Sequence, residues 1–273
     1  MSNSLTDSDR EKAGASRVPP ASPAGGSGVP VSARFPFLAI VPWLMLASTM
    51  RFIGWRGGAF GLLTTVIADL CVFLALLVGT RAMVEWWGGR MAAGPRAFRD
   101  QLRLGHKILI RVFALMVAVS TAVSLLASGR LGPFMMMGFD GIAFDQFSRL
   151  GMAWSAILGA LVFLLVVQAE TTGRVSLVEA ARDLVRRRNW MLPAIVTVAL
   201  LQLAMSVGQG VVRGWVYVVW QSATPETLKN FVYFGFVFGF ATVRVWLTLA
   251  VLTLALRWSY RRAAGSALSP PAA

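Results

Sequence analysis

Two charged side chains lie deep inside apolar runs, and they limit what chemistry this chain can do. Arg244 interrupts "FATVRVWLTLAVLTLALRW", and Asp69 interrupts "AFGLLTTVIADLCVFLALLVGT". A charge at the centre of a bilayer costs about 2.5–3.5 kcal/mol on insertion scales, so each calls for a partner. A carboxylate and a guanidinium are natural partners, joined by charge-assisted hydrogen bonds. Two readings of an Asp69–Arg244 pair stay open. It is a lock that sets helix order, or a gate or substrate site of a small transporter, because intramembrane charges often mark pathways. The lock is preferred, since no further charged or polar residue is expected at that depth.

Other reactive side chains carry weaker signals. Met135, Met136 and Met137 are soft ligands, but consecutive positions do not converge on one ion and no Cys or His assists them. The segment around them, "GPFMMMGFDGIAFDQFS", is expected to dip into the outer interface, with Asp140 and Asp145 solvated. His106 is the one histidine and lies in a basic stretch without a suitably placed carboxylate, so it reads as interfacial. Cys71 is the one cysteine, which excludes a disulfide within the chain. Arg111 and Glu170 belong near an interface, where they pair or snorkel. No Walker A, HExxH or GxSxG motif and no paired catalytic carboxylates occur. The sequence therefore leads to the expectation of a non-enzyme with no cofactor and no metal.

The elements that position Asp69 and Arg244 follow from composition. The chain is 56% hydrophobic and only 14% charged over 273 residues, against roughly 25% charged in soluble domains. A membrane span needs about 20 apolar residues. Six candidates are found, at about 35–54, 58–80, 108–128, 151–170, 192–212 and 231–257. Pro36 and Pro42 interrupt the first. The Lys and Arg residues alternate with these spans: 18 collect on one side and 6 on the other, with only Arg111 and Arg244 left over. By the positive-inside rule both termini face the cytoplasm. The net charge of +14 then serves topology rather than nucleic acid, which is not expected as a partner. Trp86, Trp87, Trp190, Trp215, Tyr217, Trp220, Trp258 and Tyr260 flank the spans, where aromatic belts form. Asp69 is 11 residues into its span and Arg244 is 13 into its own, so their depths differ by about 3 Å if the two spans run parallel.

Two basic stretches precede spans 3 and 5. In "SLVEAARDLVRRRNWMLPAIV", Ser176 and Glu179 make a capping box, and Leu177, Ala181, Leu184 and Val185 line one helical face. "PRAFRDQLRLGHKILIRVFALM" carries a sparser stripe of Phe98, Leu102 and Leu109. Each reads as an amphipathic surface helix, with Arg99, Arg103, Arg182, Arg186 and Arg187 against anionic lipid headgroups. The repeated unit is surface helix, outward span, inward span. On "SLVEAA" and "RAFRDQL", over about 95–257, the chain resembles a group of bacterial six-span proteins that includes the membrane domain joined to some glycerophosphodiester phosphodiesterases. That resemblance implies a bacterial inner-membrane protein with duplicated hairpins and carries over no catalytic residue.

Small residues at four-residue spacing allow close helix packing: Gly151, Ser155 and Gly159 in span 4, and Gly235 and Gly239 in span 6. Internal packing is preferred for both sets over a homo-oligomer contact. The expected architecture is all-α: a six-span bundle over 33–262 with two cytoplasmic amphipathic helices, between disordered cytoplasmic tails at 1–32 and 263–273. The expected role is an accessory or scaffold component of the cell envelope, with another membrane protein and the bilayer itself as partners. The alternative is a secondary transporter or permease subunit.

Overall fold

The computed structural model describes residues 36–54, 59–86, 98–126, 139–144 and 149–267. Among these are eight helices and no strand. In chain order they are α1 (Pro36–Gly54), α2 (Ala59–Trp86), α3 (Phe98–Leu126), α4 (Asp140–Ala143), α5 (Arg149–Thr172), α6 (Leu177–Arg186), α7 (Arg188–Gln221) and α8 (Glu226–Ala267). Four are long and apolar enough to cross a membrane: the greater part of α2, then α5, α7 and α8. Helix α1 offers a shorter apolar stretch, and α3 carries Arg99, Asp100, Arg103, Lys107 and Arg111 in its first half. The expected N-terminal tail lies outside the described residues. At the other end α8 runs to Ala267, past the boundary expected at 262.

The bundle's exterior fits lipid rather than water. On α7, Leu192, Val196, Leu200, Leu203, Val207, Val211, Trp215 and Val218 are all exposed. They fall on one side of the helix at three- and four-residue steps, an apolar stripe far larger than a soluble monomer leaves bare.

Glycines and rings fix how the helices run. A Cβ at Gly54 would meet Thr64, and one at Gly79 would meet Ile40 and Leu249. So α1 and α2 form an antiparallel hairpin, and α2 packs on α8. Phe52 lies against Tyr233 with ring centres 5.9 Å apart, which sets α1 antiparallel to α8 and makes α2 and α8 parallel. Trp190 meets Trp258 at one end of the α7–α8 hairpin and Trp220 meets Tyr233 at the other. Helix α5 is the most enclosed, with Gly151, Ser155 and Gly159 all buried, and Gly159 facing Ile142 and Thr248.

Two expectations about local structure need correction. The stretch before span 3 is not a separate surface helix, because α3 is continuous over 29 residues. Its one glycine, Gly105, is buried in the helix beside Leu77, where it allows close approach to α2 instead of ending the helix. The second stretch does break. Gly173 closes α5 at φ 70°, a conformation open to glycine, and Ser176 caps α6. The other correction is α4. The segment expected at the outer interface instead enters the bundle, where Phe139, Ile142, Ala143 and Phe144 are buried among α2, α5 and α8. Phe139 packs edge-on against Phe73, near the middle of α2. Asp145 and the three methionines lie outside the described residues.

Candidate functional site

Arg244 is the largest fully buried side chain among the described residues, at 2% exposure. It sits midway along α8, and its guanidinium ties three elements together. Nη1 donates to the Phe144 carbonyl at 2.9 Å, a group left without an intrahelical donor where α4 ends. Nη2 donates to Ser206 Oγ at 2.9 Å and to Gln209 Oε1 at 3.0 Å, both on α7. Ser206 in turn donates to the Gln202 carbonyl at 3.0 Å, so its hydroxyl is used in both directions. The fixed fork of the guanidinium suits this divergent set of acceptors. Phe144 is held on its other side too, with the Arg51 guanidinium 5.2 Å from its ring centre.

The expectation that no other polar group lies at the depth of Arg244 is therefore overturned. Gln202, Ser206 and Gln209 repeat at helical spacing along α7, and both glutamines are buried. That stripe was present in the sequence as three polar residues on one face of an apolar span. The Phe144 carbonyl left no sequence signal, because it depends on where α4 inserts.

Asp69 is half-buried on α2, the helix that runs parallel to α8. Ten residues further along α2, Gly79 faces Leu249, five residues past Arg244 on α8.

The five arginines assigned to headgroups divide. Arg99, Arg103, Arg182 and Arg186 are exposed. Arg187 is engaged: Nη1 donates to Ser259 Oγ at 3.0 Å, and the guanidinium lies 4.3 Å from the Tyr260 ring centre. It fastens α6 to α8. The capping box is rearranged as well. Ser176 Oγ accepts from the Glu179 N–H at 3.4 Å, but the Glu179 carboxylate accepts from Gln168 Nε2. Gln168 Oε1 takes the Ser176 N–H at 3.4 Å, so one buried glutamine on α5 does the reciprocal half of the box. Glu170 is also buried, at 4% exposure, in a small cavity it shares with Arg81. Arg111 donates to its own helix at the Lys107 carbonyl, 3.0 Å away. His106 is exposed and Cys71 buried.

The two sets of small residues behave differently. Gly151, Ser155 and Gly159 face inward as expected. A Cβ at Gly235 or Gly239 would meet nothing within 4 Å, so internal packing is not their role among the described residues.

A cleft of about 790 Å³ opens between the second half of α7 and the first half of α8. Its walls include Phe52, Tyr217, Trp220, Tyr233 and Phe236, and its charged residues are Arg213 and Glu226. Gln209 lies in its lining, one hydrogen bond from Arg244. No group of three or more metal-ligating side chains is found among the described residues. Comparison with known proteins returns no matching family model, no matching curated protein and no matching solved structure.

Proposed function

We propose that this chain is a six-span integral protein of the bacterial inner membrane, with both termini cytoplasmic, acting as a non-enzymatic accessory or scaffold. The observation that carries this reading is the set of three hydrogen bonds that the buried Arg244 guanidinium donates. A guanidinium that holds α4 and α7 to α8 through three acceptors serves as a lock that fixes helix order. Asp69, on the adjoining parallel helix, supplies the counter-charge. The alternation of directions, with α1 and α7 opposed to α2 and α8, supports the even number of crossings that the Lys and Arg distribution calls for. Exposed Arg99, Arg103, Arg182 and Arg186 meet anionic headgroups at the cytoplasmic face.

Transport is the second reading, favoured by the cleft whose lining reaches Gln209. The two are separated by purifying the full chain from native membranes in mild detergent. A scaffold comes out with a stoichiometric membrane protein. Recovery of the chain alone, able to move a solute in liposomes in a way that Gln209→Leu abolishes, would replace the scaffold reading with the transporter one.

A further inference from the structure

The α7–α8 cleft is walled by rings and floored by an amide. Tyr233 is the hub of the wall, with the rings of Phe52, Trp220 and Phe236 at 5.9, 6.2 and 6.3 Å between centres. Tyr217 adds a fifth ring to the lining. The charged residues there are one of each sign, Arg213 and Glu226, so the cleft favours neither an anion nor a cation. From Trp220 to Gln209 is eleven residues along α7, about 16 Å. The cleft thus runs from the turn end of the hairpin down to the seam at Arg244.

At that deep end Gln209 is only 7% exposed. Its amide oxygen accepts from Arg244 Nη2 at 3.0 Å. A guanidinium has donors and no acceptor, so the oxygen must face it and the amide nitrogen is turned away. No described residue accepts a hydrogen bond from that nitrogen. Both amide atoms of Gln202 are sealed inside the bundle, whereas the Gln209 nitrogen opens on the cleft that Gln209 lines. The lock therefore uses half of this amide and leaves its donors over. Donation by Arg244 into the oxygen polarises the amide and strengthens those donors.

We infer that the cleft binds a flat, uncharged carbonyl compound that dissolves in the bilayer, the chemical class of the quinones, with its ring among the aromatic side chains and one carbonyl oxygen accepting from the Gln209 amide. A flat ring meets aromatic side chains by offset stacking or edge to face. A mostly apolar hollow with a few fixed polar groups is the usual form of a small-molecule site, and 790 Å³ is a usual size for one. A lipid ester has the carbonyl but no ring, and would leave the aromatic wall without a purpose. The inference concerns binding alone, so it stands whether the chain is a scaffold or a transporter.

The test is thermal unfolding of the full chain in one mild detergent, because a ligand held only by the folded state raises Tm as its concentration grows. Three probes are titrated: duroquinone; durene, which has the same methylated ring without oxygens; and dioctanoylglycerol, which has carbonyls without a ring. The variants are Gln209→Glu, which keeps an oxygen acceptor for Arg244 but removes the amide donor, and Trp220→Leu, which removes one ring at an exposed position. The expected result is duroquinone held at least fivefold more tightly by the native chain than by either variant, and at least fivefold more tightly than the other two probes. No shift of the native chain with duroquinone, or equal shifts in all three proteins, would overturn the site. An equal effect of durene would overturn the carbonyl contact, and an equal effect of dioctanoylglycerol would overturn the ring in favour of a lipid ester. Should Gln209→Glu fail to fold, Trp220→Leu decides by the same fivefold criterion. Neither a co-purifying partner nor solute movement enters this readout, so its failure leaves the proposed function standing.

Discussion

The Arg244 guanidinium and the Gln209 amide oxygen lie 3.0 Å apart across the α7–α8 seam. Both side chains are buried, and Gln209 also lines the α7–α8 cleft. An unpaired guanidinium here would be left in a low dielectric with nothing to solvate it. The same group reaches Ser206 and the end of α4, and removing it loosens three elements at once.

Arg244→Lys is expected to fail as a conservative change. An ammonium keeps the charge but not the planar fork that spans Phe144, Ser206 and Gln209. Thermal unfolding in detergent should show Arg244→Lys destabilised by about 2–4 kcal/mol, comparable to breaking a buried charged partner. Ser206→Ala alone should cost about 1–2 kcal/mol. A lysine variant as stable as the native chain would remove the geometric argument.

Exchanging the charges tests the counter-ion. Asp69→Arg and Arg244→Asp should each abolish accumulation in the membrane, and the double exchange should recover part of it. Failure of the double variant to recover counts against Asp69 as the partner.

The glycines separate packed from open helix faces. A Cβ at Gly79 would lie 2.5 Å from Leu249 Cδ1 and 2.7 Å from Ile40 Cγ2. Gly79→Ala must displace two branched side chains, at a cost of about 1–3 kcal/mol. Gly235→Ala and Gly239→Ala meet open space and should be neutral or stabilising by up to about 1 kcal/mol. Loss of a dimer on gel filtration in these two variants, with Tm held, would instead assign the GxxxG to a contact between copies.

Gln168 is the hinge pin of α6. Gln168→Leu removes both its bond to Glu179 and its acceptance from Ser176. Hydrogen exchange across Leu177–Arg186 should accelerate at least tenfold while α5 keeps its protection. Unchanged exchange in α6 would show that Arg187 and the Leu177 and Leu184 contacts suffice.

Much of this organisation was legible because bilayer physics leaves few choices. Apolar runs had to be helices, and the capped start of α6 was written in Ser176 and Glu179. What stayed hidden was tertiary. Nothing in "RLGHKILIRV" marks Gly105 as a packing glycine, since that depends on Leu77 from another helix. The inward turn of α4 depends on its packing against α2, α5 and α8 and on the Phe144 carbonyl that accepts from Arg244. The polar face of Gln202, Ser206 and Gln209 was readable, but an isolated glutamine in an apolar span looks the same whether it faces lipid, a cavity or a guanidinium. Gln168 was inconspicuous for the same reason.

The most direct measurement is a double-mutant cycle between Arg244→Met and Gln209→Met, read by thermal unfolding of the full chain in one detergent. A lock requires the two side chains to act as a unit, with a coupling energy of about 1–3 kcal/mol. Losses that add with no coupling would mean that Arg244 is buried for some reason other than holding α7 to α8.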